Sequence, residues 1–244
     1  MSSSFVAEIV EVPLISVAPY PLLEKFLLTP MRMAVRGTML ACEAALETNL
    51  AVSTSGGFHR ARPDAGAGFS IYADAAIALA GLRRSGALGP QDWVAHIDLD
   101  AQMGSGLAHC VMTDPRVRLF DLFNDLAYPR DQQARRRLDA AVPVEPHTGG
   151  ERYLAALRAA LPGFLDARTH RLAIYTAGAN AVAADWVGGL QLAETDLLER
   201  DRYVIREVVS RGIPLVVLAG GGYTSIAHRL LATTIIWMAE VYGR

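Results

Sequence analysis

Cysteine is scarce: Cys42 and Cys110 are the only two in 244 residues. Both sit in apolar helical patterns without CxxC spacing, so they read as buried thiols in a reducing compartment, with no disulfide framework expected. Long apolar runs are missing as well, and nothing approaches bilayer-spanning length. The amino end, Met1-Ser2-Ser3-Ser4 followed by Glu8 and Glu11, lacks the basic region of a secretion signal. A cytoplasmic protein without a membrane partner is expected. Nor is there an excess of one charge: 23 basic and 25 acidic residues are interspersed for a net charge of −2. The densest basic run, Arg135-Arg136-Arg137, is short and reads as a solvated helix face, which argues against a nucleic-acid partner. No repeat and no linker divides the chain, so one domain over residues 1–244 is expected.

What the chain does have is apolar content, 52% of its residues, enough for a well-buried sheet. Strand-length apolar runs alternate with segments of helical period, the pattern of parallel βαβ construction. The strands are expected at Leu50-Thr54, Trp93-Leu99, Val117-Leu122, Leu172-Thr176 and Ile213-Leu218. Their near-continuous apolar character suits a sheet covered on both faces. Helices are expected at Pro30-Glu47, Tyr72-Ser85, Glu151-Leu165, Asp196-Ser210 and Thr224-Tyr242. Pro30 suits a first helical turn, Thr195 an N-cap and Gly212 a stop. The fold class is therefore α/β, a single domain with a predominantly parallel sheet sandwiched between helices.

In such a sheet, chemistry collects in loops just beyond the carboxyl ends of the strands. The polar and glycine-rich clusters fall there: Ser55-Gly56-Gly57-Phe58-His59-Arg60, Asp98 to Gly106, Ala177-Gly178-Ala179-Asn180, and Ala219-Gly220-Gly221-Gly222-Tyr223. Any one of these is weak, since a glycine run is usually only a turn. Four on one rim indicate a site.

These residues, with Gly66-Ala67-Gly68-Phe69, Tyr72-Ala73-Asp74, Ile97-Asp98-Leu99-Asp100-Ala101 and Gly188-Gly189-Leu190, resemble the arginase and deacetylase superfamily, most closely the class IV histone deacetylases. The match keeps order and spacing over nearly all of the chain. It implies an arginase/deacetylase-like domain. In that family a zinc ion is held by an Asp, a His and a second Asp. The matching positions here are Asp100, Gln102 and Asn180, one carboxylate and two neutral amides. Amide oxygens are poor zinc ligands, so a degenerate site with no zinc is expected, and no cofactor for catalysis. The family's tandem histidines read His59-Arg60, and the residue that orients the second histidine reads Ser105. His59 keeps its partner Asp98, and the tyrosine that polarises the substrate carbonyl is kept as Tyr223. The pocket is implied to include Asp100, Gln102, Asn180, Phe69, Tyr128 and Gly221. A structural potassium ion is implied at Asp98, Asp100, Gln102 and Asp121.

Arg60 places a permanent cation beside the vacated zinc position. Two orientations are open: pairing with Asp100 inside the pocket, or pointing outward along the rim. If inward, Arg60 and Tyr223 would act as donors to a small carboxylate- or carbonyl-bearing ligand. His96, two residues before Asp98 on one strand face, reads as a hydrogen-bonded core histidine. His109 has no partner at useful spacing and reads as structural. The resemblance also implies that the family's amino-terminal strand region is missing, which would leave Leu50-Thr54 as an apolar sheet edge. Phe5 to Val17, a second copy or a partner chain is expected to cover it.

The leading expectation is a pseudoenzyme, a deacetylase-like scaffold that binds a ligand or partner. The alternative is a repurposed metal-independent enzyme, a hydrolase or lyase, with His59 and Asp98 as acid-base pair and Tyr223 and Arg60 stabilising negative charge. A second alternative is a metal-dependent amide hydrolase with altered ligands.

Overall fold

A computed structural model describes residues 2–243. Its centre is one sheet of six parallel strands in the order β1-β6-β5-β2-β3-β4. The strands are β1 (Leu50–Ser53), β2 (Trp93–Asp98), β3 (Val117–Asn124), β4 (Ala140–Val144), β5 (His170–Thr176) and β6 (Leu215–Leu218). Successive side chains point to opposite faces, so each strand serves two cores. Ala173, Tyr175, Leu215 and Val217 face one layer, made by α7 (Gly150–Asp166), α8 (Glu194–Ser210) and α9 (Ala227–Tyr242). Leu172, Ile174, Val216 and Leu218 face the other, made by α3 (Thr29–Thr48), α4 (Asp74–Ser85) and α5 (Ser105–Cys110). Each fully buried aliphatic side chain in these layers contributes about 1.5–3 kcal/mol.

The five expected strands and five expected helices are all present, with shifts of a few residues at their ends. Strand β4 and the short helix α6 (Gln132–Arg137) escaped the pattern reading. Strand β4 reads Ala-Ala-Val-Pro-Val and carries Pro143, which is tolerated because β4 is an edge. The N-cap of α8 is Ala193 rather than Thr195: the Asp196 carboxylate reaches back to accept the Ala193 N–H at 2.9 Å. Gly212 does follow α8 with φ +67°. No helix among the described residues is long and apolar enough to cross a membrane.

The amino end departs from expectation. Residues Phe5 to Val17 do not lie along β1. They form α1 (Ser3–Ile9), capped by Ser2 Oγ, and a 3-10 turn (Pro13–Val17). Val6, Ile9 and Val10 recur at helical spacing and form a separate small core with Leu23, Leu28 and Ile71. A short helix, α2 (Tyr20–Leu23), then leads through a wide turn (Glu24–Leu28) into α3. Strand β1 therefore remains an edge. A groove of about 850 Å³ runs beside it, lined by Leu50, Val52, Ile213, Met238 and Tyr242.

Candidate active site

The order in which strands are added reverses between β2 and β5: β3 and β4 lie to one side of β2, β5 and β6 to the other. Such a switch point opens a crevice at the carboxyl ends of the two strands. Asp98 to Gly104 leaves β2 there, and Ala177 to Ala181 leaves β5 there. Gly178 (φ +58°) lets the two loops touch, because a Cβ on it would meet Asp100 Cα at 2.7 Å.

His59 enters from the loop after β1. Its Nδ1 lies 2.8 Å from Asp98 Oδ2 and its Nε2 3.8 Å from Asp100 Oδ1. Burial pushes the imidazole towards neutrality, but the fields of Asp98 and Asp100 outweigh burial and raise its pKa. The ring thus sits between two carboxylates that favour its charged form. Asp74, at the start of α4, holds this loop by accepting the N–H groups of Gly57 (2.9 Å) and Phe58 (2.8 Å) and the Thr38 hydroxyl.

Asp100, Asn180, Gln102 and Gly221 close on one another. Asp100 Oδ1 accepts from Asn180 Nδ2 (2.8 Å) and Gln102 N–H (3.0 Å), and its Oδ2 accepts from Gly221 N–H (2.9 Å). Asn180 Oδ1 accepts the Ala101 N–H at 3.0 Å. That backbone donor fixes the amide's orientation, since a flipped carboxamide would set N–H against N–H. Gln102 Nε2 donates to the Val187 carbonyl at 3.1 Å, while its Oε1 lies 3.4 Å from Asn180 Nδ2. Burial opposes ionisation of Asp100, but the His59 charge and the Asn180 donor outweigh it and lower its pKa.

Arg60 points inward and is buried, but the expected pairing with Asp100 does not form. The guanidinium makes no ion pair with any carboxylate among the described residues. Both Asp100 oxygens are already occupied by N–H donors, and the Arg60 side chain instead runs beneath Gly68 to the face of Tyr128, 5.6 Å from the ring centroid. Its charge still reaches His59, Asp100 and Tyr223. Tyr223 pairs with Phe69 at 5.6 Å between ring centroids, and its backbone is pinned by Asp185 accepting its N–H at 2.7 Å. Burial pushes the Tyr223 phenol up to about 12, so it is a neutral donor at physiological pH.

Asp121 lies behind Asp98. Its Oδ2 accepts the Gly104 N–H at 2.8 Å, and its Oδ1 is buried without a partner. Burial and the neighbouring Asp98 charge raise its pKa well above the carboxylate range. His96 is the hydrogen-bonded core histidine expected, 3.2 Å from Thr176 Oγ1, and Ser105 is buried at the start of α5. His109 differs from expectation: Asp131, distant in sequence, comes to 2.8 Å from its Nε2. Among the described residues, no three or more His, Cys, Asp or Glu side chains are placed to hold a metal ion.

Three supporting residues were not singled out by the sequence: Asp74, Asp185 and Arg200. Arg200, fully buried on α8, donates to the carbonyls of Leu99 (3.1 Å) and Gly178 (2.9 Å) and to Asp201 (2.7 Å), tying the two site loops together from behind. Asp74 stood within the Tyr-Ala-Asp motif, but nothing in that spacing shows which backbone groups it binds. Arg200-Asp201 looks like any charged pair on an amphipathic helix, so only the packing reveals it.

The family model described as "Histone deacetylase domain" matches residues 15–239. Histone deacetylase 2 of Arabidopsis thaliana is 35% identical over 238 residues, 96% of this chain and 60% of the plant protein. An uncharacterised protein of Picosynechococcus is 34% identical over 198 residues, 81% of this chain and 64% of that protein. The chain thus spans about 60% of the length of these curated relatives. Among solved structures, an HDAC homolog from Aquifex aeolicus superimposes with a TM-score of 0.73 at 24% identity, covering 88% of this chain and 58% of that one. Acetylpolyamine aminohydrolase from Burkholderia pseudomallei gives 0.71 at 18% identity, covering 86% and 62%. These likenesses establish the fold.

Proposed function

The chain belongs to the histone deacetylase family, and from that membership we propose that it is a ligand- or partner-binding member without zinc-dependent deacetylase activity. The observation that carries this is the Asn180 amide, which presents N–H rather than a lone pair to Asp100 and is fixed there by Ala101. Asp100 has no oxygen free of an N–H donor, and Gln102 turns its nitrogen to Val187. One engaged carboxylate and two amides do not fit a zinc ion, which takes imidazole, thiolate or free carboxylate. No catalytic step is therefore routed through zinc.

A monovalent cation fits better. The orphaned Asp121 Oδ1 beside Asp98 is the sort of buried oxygen such an ion would satisfy. The Asp100 and Gln102 side chains are engaged elsewhere and would take no part.

A second reading, a metal-independent enzyme, is supported by the His59–Asp98 contact of 2.8 Å, with the neutral Tyr223 near enough to Asp100 to feel its charge. In it His59, oriented by Asp98, would be the acid-base group, and Tyr223 would donate to a developing oxyanion. We also propose that a second copy or a partner chain covers the β1 edge and its groove.

Restoring the family's ligand types tests the proposal. The pair Gln102→His with Asn180→Asp should take up about one equivalent of zinc in a chelator competition, with the parent chain binding at least about 100-fold more weakly. Equal zinc affinity in the two proteins would overturn the reading.

A further inference from the structure

Arg60 is a buried charge without a partner. The residue is 4% exposed, and among the described residues its guanidinium enters no ion pair. Its Nε is fully enclosed and unpaired. The contact it does make is with the π-face of Tyr128, weak compensation for a desolvated cation. Packing rather than hydrogen bonding fixes its course, because any Cβ on Gly68 would collide with Arg60 Nη1.

The missing acceptor has to come from outside the chain. Asp100 is close enough for the two charges to be felt, yet three N–H groups already occupy its oxygens. A guanidinium is a planar fork of donors whose natural complement is a carboxylate. The surroundings narrow the choice further. Asp98 and Asp100 belong to the same cluster, so a dianion such as phosphate would meet stronger repulsion than a single negative charge. Tyr128 lies against the guanidinium, Phe69 and Tyr223 form an exposed aromatic pair within reach of its field, and Tyr223 keeps its phenolic proton for a second hydrogen bond.

We infer that Arg60 is the receptor for a monocarboxylate on an apolar or aromatic stem, taken into the rim between Phe69, Tyr128 and Tyr223. This rests on the metal-free reading of the site. The carboxylate belongs either to a free small acid or to the end of a longer chain. Benzoate represents the first, and an N-acetyl dipeptide ending in phenylalanine the second.

Calorimetric titration of the full, metal-stripped chain tests it, with benzamide as neutral isostere and inorganic phosphate as dianion. At least one of the two carboxylates should bind at a single site, with benzamide and phosphate at least about tenfold weaker. Arg60→Met, which keeps the apolar stem, should weaken the carboxylate at least about tenfold, and Arg60→Lys, which keeps the charge but not the fork, by less. The lysine variant also serves if the methionine variant does not fold. Carboxylate affinity unchanged in a folded Arg60 variant, or no carboxylate binding at millimolar concentration, would overturn the inference and leave the metal-free reading standing. Carboxylate binding that requires added zinc and ignores Arg60 would overturn both.

Discussion

At the scale of single residues, the exchange of one oxygen for a nitrogen at position 180 carries the proposal. An amide at position 180 in place of a carboxylate turns an acceptor into a donor, and that donor closes on Asp100. His59 lies between two carboxylates, and its pKa is raised. The sign of the consequence follows. A raised folded-state value stabilises fully below the unfolded value of about 6.5 and is lost as pH climbs through the folded value. Thermal stability of the parent chain should therefore fall across that window, and His59→Gln should flatten the fall. A ring titration of His59 by NMR with a midpoint at or below about 6.5 would contradict this. The amide positions themselves were legible in the sequence, because the motif around them assigns their counterparts. The Arg60 partner was not: pairing with Asp100 was the electrostatically obvious choice, and backbone N–H groups that no residue-type pattern records had already taken that carboxylate.

At the scale of elements, the site depends on two loops held in register from behind. Arg200 on α8 donates to the carbonyls of Leu99 and Gly178, one from each loop, and Asp201 accepts in turn from Tyr175 and Thr234. Removing one member of a buried charged network leaves the others uncompensated, so Arg200→Ala should cost about 3–5 kcal/mol. Denaturant unfolding measures it, and a loss under about 1 kcal/mol would show that the guanidinium does not bear on the loops. Elements of strong period were readable at this scale: the near-continuous apolar strands of the sheet centre and the amphipathic helices α7 and α8 lie where their patterns put them. Strand β4 was not, since Pro143 and the alanines weaken its signal and only the edge position makes it tolerable. Of the covers open for the β1 edge, the segment Phe5 to Val17 is not the one: loose apolar alternation and a short helical period coincide over Phe5 to Val10, and the segment packs as a helix against Ile71.

At the scale of the whole molecule, the parallel sheet ends in strand β1, and among the described residues no strand pairs with its outer edge beside the apolar groove. Open edges of this kind recruit another strand or another chain. Sedimentation at micromolar concentration should show a species heavier than the 26.3 kDa monomer, and a Val52→Lys change should shift it towards the monomer. A parent chain that sediments as a monomer would count against a second copy on this edge. The account as a whole turns on whether a deacetylase-family fold can keep its active-site framework while its metal position is closed by internal hydrogen bonds. Elemental analysis of the chain, expressed with zinc in the medium and then dialysed, measures that directly. The account predicts zinc well below about 0.1 equivalent, and close to one equivalent would contradict it.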